Sequence, residues 1–280
     1  MFSQALVTGA AAPVTLPFAY QLLRQDARQL LLCDEWAPLQ ALRPSLLAWQ
    51  RQQACAAELR FFPFGRSGDL LPWHQLNEPA DPDGPECTIL LLHSQGLRCT
   101  RQAHAHPGRA LRANLLLTRQ VLQEAIAESP HALLVISSDH ARDTTTVLGA
   151  SLAAAEASLL EAASHLQDTV IRLLRFPAGL EPSTHGDGGL EPDQAWRREQ
   201  AVRAALSTLS AIDPPQDTTP LLIEWPDPLH APQQLHHQPL VAGIPQPRQP
   251  LLHWLNSIAK PLQNEDDPAI ARALLSLWAG

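Results

Sequence analysis

Over about its first 175 residues the chain alternates short apolar runs with stretches of helical periodicity, and this pattern narrows the possible folds more than any other feature. Runs at 5–8, 30–33, 59–64, 88–92, 132–137 and 169–174 are the length of buried strands. Between them, 18–25, 36–58, 109–128 and 148–163 carry apolar residues at helical spacing; Leu111, Leu115, Val121, Leu122 and Ile126 form one such stripe. Strands alternating with crossover helices predict an α/β fold, a doubly wound parallel sheet.

The texture changes after Arg175. Residues 179–193 are rich in Gly, Pro and Asp, 194–212 reads as one helix, and 213–250 is dense in Pro, Gln and His. Each proline forbids a helix interior and disfavours helix at the residue before it, so this stretch is expected to be extended, with one strand at 221–225. Two helices close the chain, at 251–262 and 268–278, the second behind an acidic start at 265–267 that suits a helix N-terminus. The division expected is a Rossmann-like domain at 1–176 and a small, reduced C-terminal lobe at 177–280. In that lobe Trp225, Trp254 and Trp278 read as packing of the chain against the core, with an interaction surface as the alternative.

Charge excludes one class of partner. The formal net charge is −8 and Lys260 is the only lysine, whereas nucleic-acid backbones are bound by dense cationic patches. No apolar run reaches the roughly 18–20 residues of a membrane span, and the first residues read as a strand, so a soluble, cytoplasmic protein is expected. Cys33, Cys55, Cys87 and Cys99 show no paired spacing and are expected to be reduced filler thiols. His104 and His106, or His230, His236 and His237, lack a companion Cys or carboxylate at metal-ligand spacing and read as solvated loop histidines.

Val7, Thr8 and Gly9 end the first strand where a dinucleotide fold places its phosphate loop. Such a loop needs small residues for backbone approach to the pyrophosphate and a helix N-terminus aimed at it. The pattern T-G-x-x-G-x-x-G is kept here at Thr8 and Gly9, but Ala12 and Thr15 stand at the later glycine positions. Pro13 and Pro17 each remove a backbone donor, and Pro17 reads as the first residue of the helix. Asp34, at the end of the second strand, holds the position of a ribose-binding acid.

Taken together the chain resembles the UDP-N-acetylglucosamine 4,6-dehydratase and polysaccharide-biosynthesis family, a branch of the extended short-chain dehydrogenases. The resemblance is collinear. Residues 5–10 match the family's first strand and loop, and Gln21 to Arg24 followed by Leu30 to Asp34 its first helix and second strand. His93 stands at the histidine of H-A-A-A-x-K-H; Pro107, Asn114 and Thr118 fit N-P-x-E-A…T-N-x-x-G-T. Ile136 to Asp139 resembles I-S-T-D-K, Val147 to Ser151 resembles V-M-G-A-[ST]-K, and Arg172 to Phe176 resembles the R-F before the family's G-N-V-L-G loop. Pro247 and Arg248, with the helices ending at Trp278, resemble the family's closing segment.

The resemblance implies an NAD(P) cofactor contacted by Thr8, Gly9, Ala12, Asp34 and His93, a UDP-sugar ligand, and proton transfer at Asp139 and His140. Its departures fall on the chemistry. His140 replaces the lysine of the S/T-D-K triplet, Leu148 the Tyr or Met, and Leu152 the lysine that anchors the nicotinamide ribose. Arg98 replaces a further lysine, and Pro177 to Pro182 stands in place of the glycine-rich substrate loop. A leucine cannot donate, accept or carry charge. Asp139 beside His140 is a candidate acid–base pair, although neighbours on a strand point to opposite faces.

Three readings stay open. One is a catalytically degenerate nucleotide-sugar dehydratase or epimerase relative acting as a binding or scaffolding partner in surface-polysaccharide biosynthesis, in a hetero-oligomer with an active paralogue or a homo-oligomer, with NAD(P) binding weak or lost. The others are an active dehydratase or epimerase with an altered site, and an interaction module without nucleotide.

Overall fold

The computed structural model describes residues 2–65, 68–76, 88–94, 96–97, 99–177, 199, 202–203, 206–207, 209, 218–224 and 236–279. Eight strands form one sheet: β1 (Gln4–Thr8), β2 (Gln29–Asp34), β3 (Glu58–Pro63), β4 (Ile89–His93), β5 (Ala132–Ser138), β6 (Val170–Phe176), β7 (Leu221–Glu224) and β8 (His236–Pro239). Their spatial order is β3-β2-β1-β4-β5-β6-β7-β8; every pairing is parallel except the last, β7 with β8.

Strands β1, β2, β5 and β6 are buried at every position, because helices cover both faces of the sheet. Alternation sorts their side chains into two cores. Leu6, Leu31, Leu91, Leu133 and Ile171 face one way, toward helices α5 (Leu117–Glu128) and α6 (Val147–Ala163). Ala5, Val7, Leu30, Leu32 and Leu134 face the other, toward α1 (Leu16–Arg24) and α2 (Trp36–Gln52). The edge strand β3 is half exposed, and it carries Glu58, Arg60 and Pro63, which discourage further strand pairing; β8, at the other edge, is mostly exposed.

Several boundaries differ from the sequence expectation for identifiable reasons. The helix expected over 36–58 ends at Gln52, since Ala54 turns left-handed with φ 50. Ala54 N–H donates to Arg51 O and Cys55 N–H to Gln50 O, the paired bonds of a Schellman ending built without glycine. Pro17 is the second residue of α1, not the first, because the helix begins at Leu16. The single helix expected over 109–128 is three pieces, α4 (Pro107–Leu111), a π-helical turn (Arg112–Leu116) and α5. The π turn gives the buried Asn114 side chain two partners, Leu97 N–H at 2.6 Å and Ser151 Oγ at 2.8 Å. α4 follows a short helix, α3 (Thr100–Ala105).

The stretch expected to be extended with one strand instead supplies β7, β8 and a short helix, α7 (Leu240–Gly243). The helix expected over 194–212 falls mainly outside the described residues, as do Cys87, Arg98, Trp225 and His230. The closing helices are α8 (Leu251–Gln263) and α9 (Asp267–Ser276); α9 packs on α4, α6 and α8. Trp254 is buried between them with its indole N–H on Ala273 O, and Trp278 donates to Ala150 O at 3.2 Å. Asp266 caps α9 through Ala269 N–H, and Asp267 accepts from Gly108 N–H at 2.7 Å, tying α9 to the start of α4. No described helix is long and apolar enough to cross a membrane.

Candidate functional site

In open parallel sheets ligands bind beyond the carboxyl ends of the strands, at the point where strand order reverses. Here β1 lies between β2 and β4, and Thr8 stands in register with both Cys33 and His93. The residues expected at a dinucleotide site do gather there. Thr8 Oγ1 is 2.7 Å from His93 Nδ1, and His93 Nε2 is 2.8 Å from Thr118 Oγ1. The Thr118 hydroxyl donates to Asn114 O, so it accepts from Nε2–H, and Nδ1 pairs with the Thr8 hydroxyl. Asn114 extends the chain to Ser151, whose hydroxyl ends on Leu148 O at 2.8 Å. This relay joins β1, β4, the π turn and α6, and its hydrogen bonds lie within the protein.

The loop after β1 is equally self-contained. Gly9 adopts φ 64, a left-handed turn suited to glycine. Ala10 N–H donates to Cys33 O, Ala11 N–H to Asp34 Oδ2 at 2.9 Å, and Ala12 N–H to Gly9 O. At the start of α1, Leu16 N–H donates to Ala12 O at 3.2 Å, Pro17 has no N–H, and Phe18 N–H donates to Thr15 O at 2.9 Å. A helix N-terminus holds an anion through just these first N–H groups. Thr15 is fully buried with its hydroxyl on that of Ser94, and Val14 packs into the α1 core. Asp34 spends one carboxylate oxygen on Ala11 and the other on Glu35 N–H at 2.7 Å. Burial pushes its carboxyl above the usual value, against those two backbone bonds.

Leu148 and Leu152 both face inward, 1% and 7% exposed. Leu152 lines, with His93, Asn114, Thr118, Ser137 and Glu156, a cavity of ≈ 20 Å³, room for about one water molecule. Among the described residues the fit to a nicotinamide dinucleotide is poor: the loop amides of Ala10, Ala11 and Ala12 are engaged within the protein, and Leu152 stands where the resemblance implies the ribose anchor.

Asp139 and His140 are not on a strand. β5 ends at Ser138, and Asp139–Arg142 forms a 3₁₀ turn whose start is capped by the Ser138 hydroxyl, which accepts from His140 N–H at 3.5 Å. Both side chains are partly exposed at the rim. His104, His106, His236 and His237 are exposed, and among the described residues no three metal-ligating side chains cluster.

The main electrostatic feature of the site escaped the sequence reading. Arg175, on β6, forks onto Glu156 of α6, with Nε 3.0 Å from Oε1 and Nη2 on Oε2; the two side chains are 2% and 1% exposed. Arg175 Nη1 also reaches Glu224 Oε1 of β7 at 3.0 Å, and Nη2 reaches Gly243 O at 2.9 Å. Arg142 from the 3₁₀ turn binds the same Glu224 oxygen at 2.5 Å. Burial raises the Glu156 carboxyl, against the pull of Arg175 and the Ser137 hydroxyl. Burial also raises Glu224, but the hydrogen bonds and charges of Arg142 and Arg175 outweigh it and hold this carboxyl below its usual value. One signal was present: Glu156 interrupts a run of alanines on a helix apolar all round, where a charge requires a partner.

The family described as "Polysaccharide biosynthesis protein" matches residues 5–180. No curated protein matches the chain in sequence. Among solved structures it resembles Pen from Bacillus thuringiensis at 12% identity and TM-score 0.58, covering 85% of this chain and 71% of that one. It also resembles MoeE5 in complex with UDP-glucuronic acid and NAD, at 15% identity and TM-score 0.50, covering 79% and 75%. An alcohol dehydrogenase from the archaeon Thermococcus sibiricus, complexed with 5-hydroxy-NADP, aligns at 16% identity and TM-score 0.54, covering 74% and 91%. At these identities the likeness is one of fold: a Rossmann-like, mostly parallel sheet flanked by helices.

Proposed function

The chain belongs to the polysaccharide biosynthesis protein family, and from that premise we propose that it serves surface-polysaccharide biosynthesis as a non-catalytic relative of the nucleotide-sugar dehydratases and epimerases. Its role is that of a binding or scaffolding partner, in a hetero-oligomer with an active paralogue or as a homo-oligomer, and residues 177–280 act as a reduced substrate-type lobe. The observation that carries this reading is the start of α1, where Leu16 and Phe18 direct their N–H groups inward and Pro17 has none. The buried Leu148 and Leu152, where the family's reaction needs a Tyr or Met and a lysine, support it. So does Asp34, whose carboxylate holds the loop backbone. The MoeE5 complex with UDP-glucuronic acid and NAD, a protein of similar fold, supports a nucleotide sugar as the ligand class of such relatives.

The test is direct. Purified protein, denatured and cleared, is expected to release no NAD(P) by mass spectrometry, and incubation with UDP-N-acetylglucosamine plus NAD(P) is expected to yield no dehydrated or epimerised product. Stoichiometric bound NAD(P) together with turnover would establish the competing reading, an active enzyme with Asp139 and His140 at an altered site.

A further inference from the structure

The four charges beside the site are held in two unlike ways. Arg175 and Glu156 form a two-pronged bridge that is nearly inaccessible to water, the geometry of a structural pair. Glu224 is held differently. Both of its guanidinium partners, Arg142 Nη2 at 2.5 Å and Arg175 Nη1 at 3.0 Å, converge on the single oxygen Oε1. Among the described residues its other oxygen takes the long 3.3 Å contact from Gln238 Nε2. Arg142 is 59% exposed and Glu224 15%, so this second pair sits at the rim.

Charge bookkeeping separates the two as well. Arg175 balances Glu156 in the interior, which leaves Arg142 to balance Glu224. Without the Glu224 carboxylate, one positive charge and two guanidinium donors would face the place that Oε1 now fills. That place lies beyond the carboxyl ends of β5, β6 and β7, the same end of the sheet as the switch point at β1 and β4, where ligands of open α/β sheets bind. Two guanidiniums meeting at one oxygen form a receptor for a carboxylate or a phosphate.

We infer that Arg142 and Arg175 form an oxyanion site and that Glu224 is its internal occupant, a self-ligand with which an anionic small molecule competes. The inference does not depend on whether a dinucleotide binds. The occupant it displaces is a side chain of β7, so ligand entry would loosen the link between the Asp139–Arg142 turn and β7.

The experiment uses the full chain and two probes, inorganic pyrophosphate and glucuronate, titrated calorimetrically at fixed ionic strength. Glu224→Gln keeps the shape and removes the competing charge. It is expected to tighten binding about tenfold over the parent, the order of one unscreened charge contact at a solvent-facing site. Adding Arg142→Ala to Glu224→Gln is expected to abolish that gain. A response to pyrophosphate alone marks a phosphate ligand, to glucuronate alone a carboxylate, and to both the shared oxyanion chemistry. No tightening in Glu224→Gln, or a gain that survives Arg142→Ala, overturns the inference. Should Glu224→Gln fail to fold, the exposed Arg142→Ala variant in the parent background decides: it is expected to weaken pyrophosphate binding, and unchanged binding sinks the idea.

Discussion

Glu156 shows how a single residue can fix the electrostatics of an interior. It is 1% exposed, and its charge is tolerable only because Arg175 brings a matching fork across from β6. Removing one partner strands the other, so Glu156→Ala is expected to cost about 3–5 kcal/mol in urea denaturation. The paired change Glu156→Leu with Arg175→Met, which replaces the charges by apolar volume, should recover most of that loss; a double variant as unstable as the single one would show that packing, not charge, dominates. The sequence announced that Glu156 needed a partner but could not identify it, because Arg175, in the next strand, meets it only once β6 lies under α6. Thr8, Gly9 and Asp34 were legible for the opposite reason. Each is placed by a local strand end, and their spacing is the motif.

At the level of elements, apolar runs gave the parallel strands and most helices, whereas endings and interruptions were hidden. The π turn depends on Asn114 meeting Leu97 N–H and Ser151, partners that no local pattern specifies. β8 reads as polar because it is an antiparallel edge strand, paired on one side and mostly exposed. α2 stops at a left-handed Ala54, where a side chain costs about 1–2 kcal/mol relative to glycine. Ala54→Gly removes that strain but adds freedom to the unfolded chain, worth roughly 0.4–1 kcal/mol. A net gain between about 0 and 1.6 kcal/mol is therefore expected, seen as a small rise in Tm. A fall in Tm would mean that the Ala54 methyl makes packing contacts outweighing its strain.

Across the whole molecule, the site has become part of the scaffold. The relay from Thr8 to Ser151 ties the first strand to α6, and the ion network ties β6 and β7 to the same helix and to the turn after β5. Trp278 and Asp267 fasten the closing helices to α6 and α4 from the far side. A fold that needs a dinucleotide to complete its switch point shares its stability with that ligand, and its melting temperature climbs with ligand concentration by mass action. On the proposed function the α1 entrance, whose first amides are already bonded to Ala12 and Thr15, would remove that linkage. The Tm of the purified chain should therefore stay level as NAD or NADP is raised from micromolar to millimolar, and a steady climb would contradict it. Such a protein keeps its shape whatever the redox state and supply of the cell's cofactor pool, so its abundance in a biosynthetic assembly would follow its own synthesis and turnover alone.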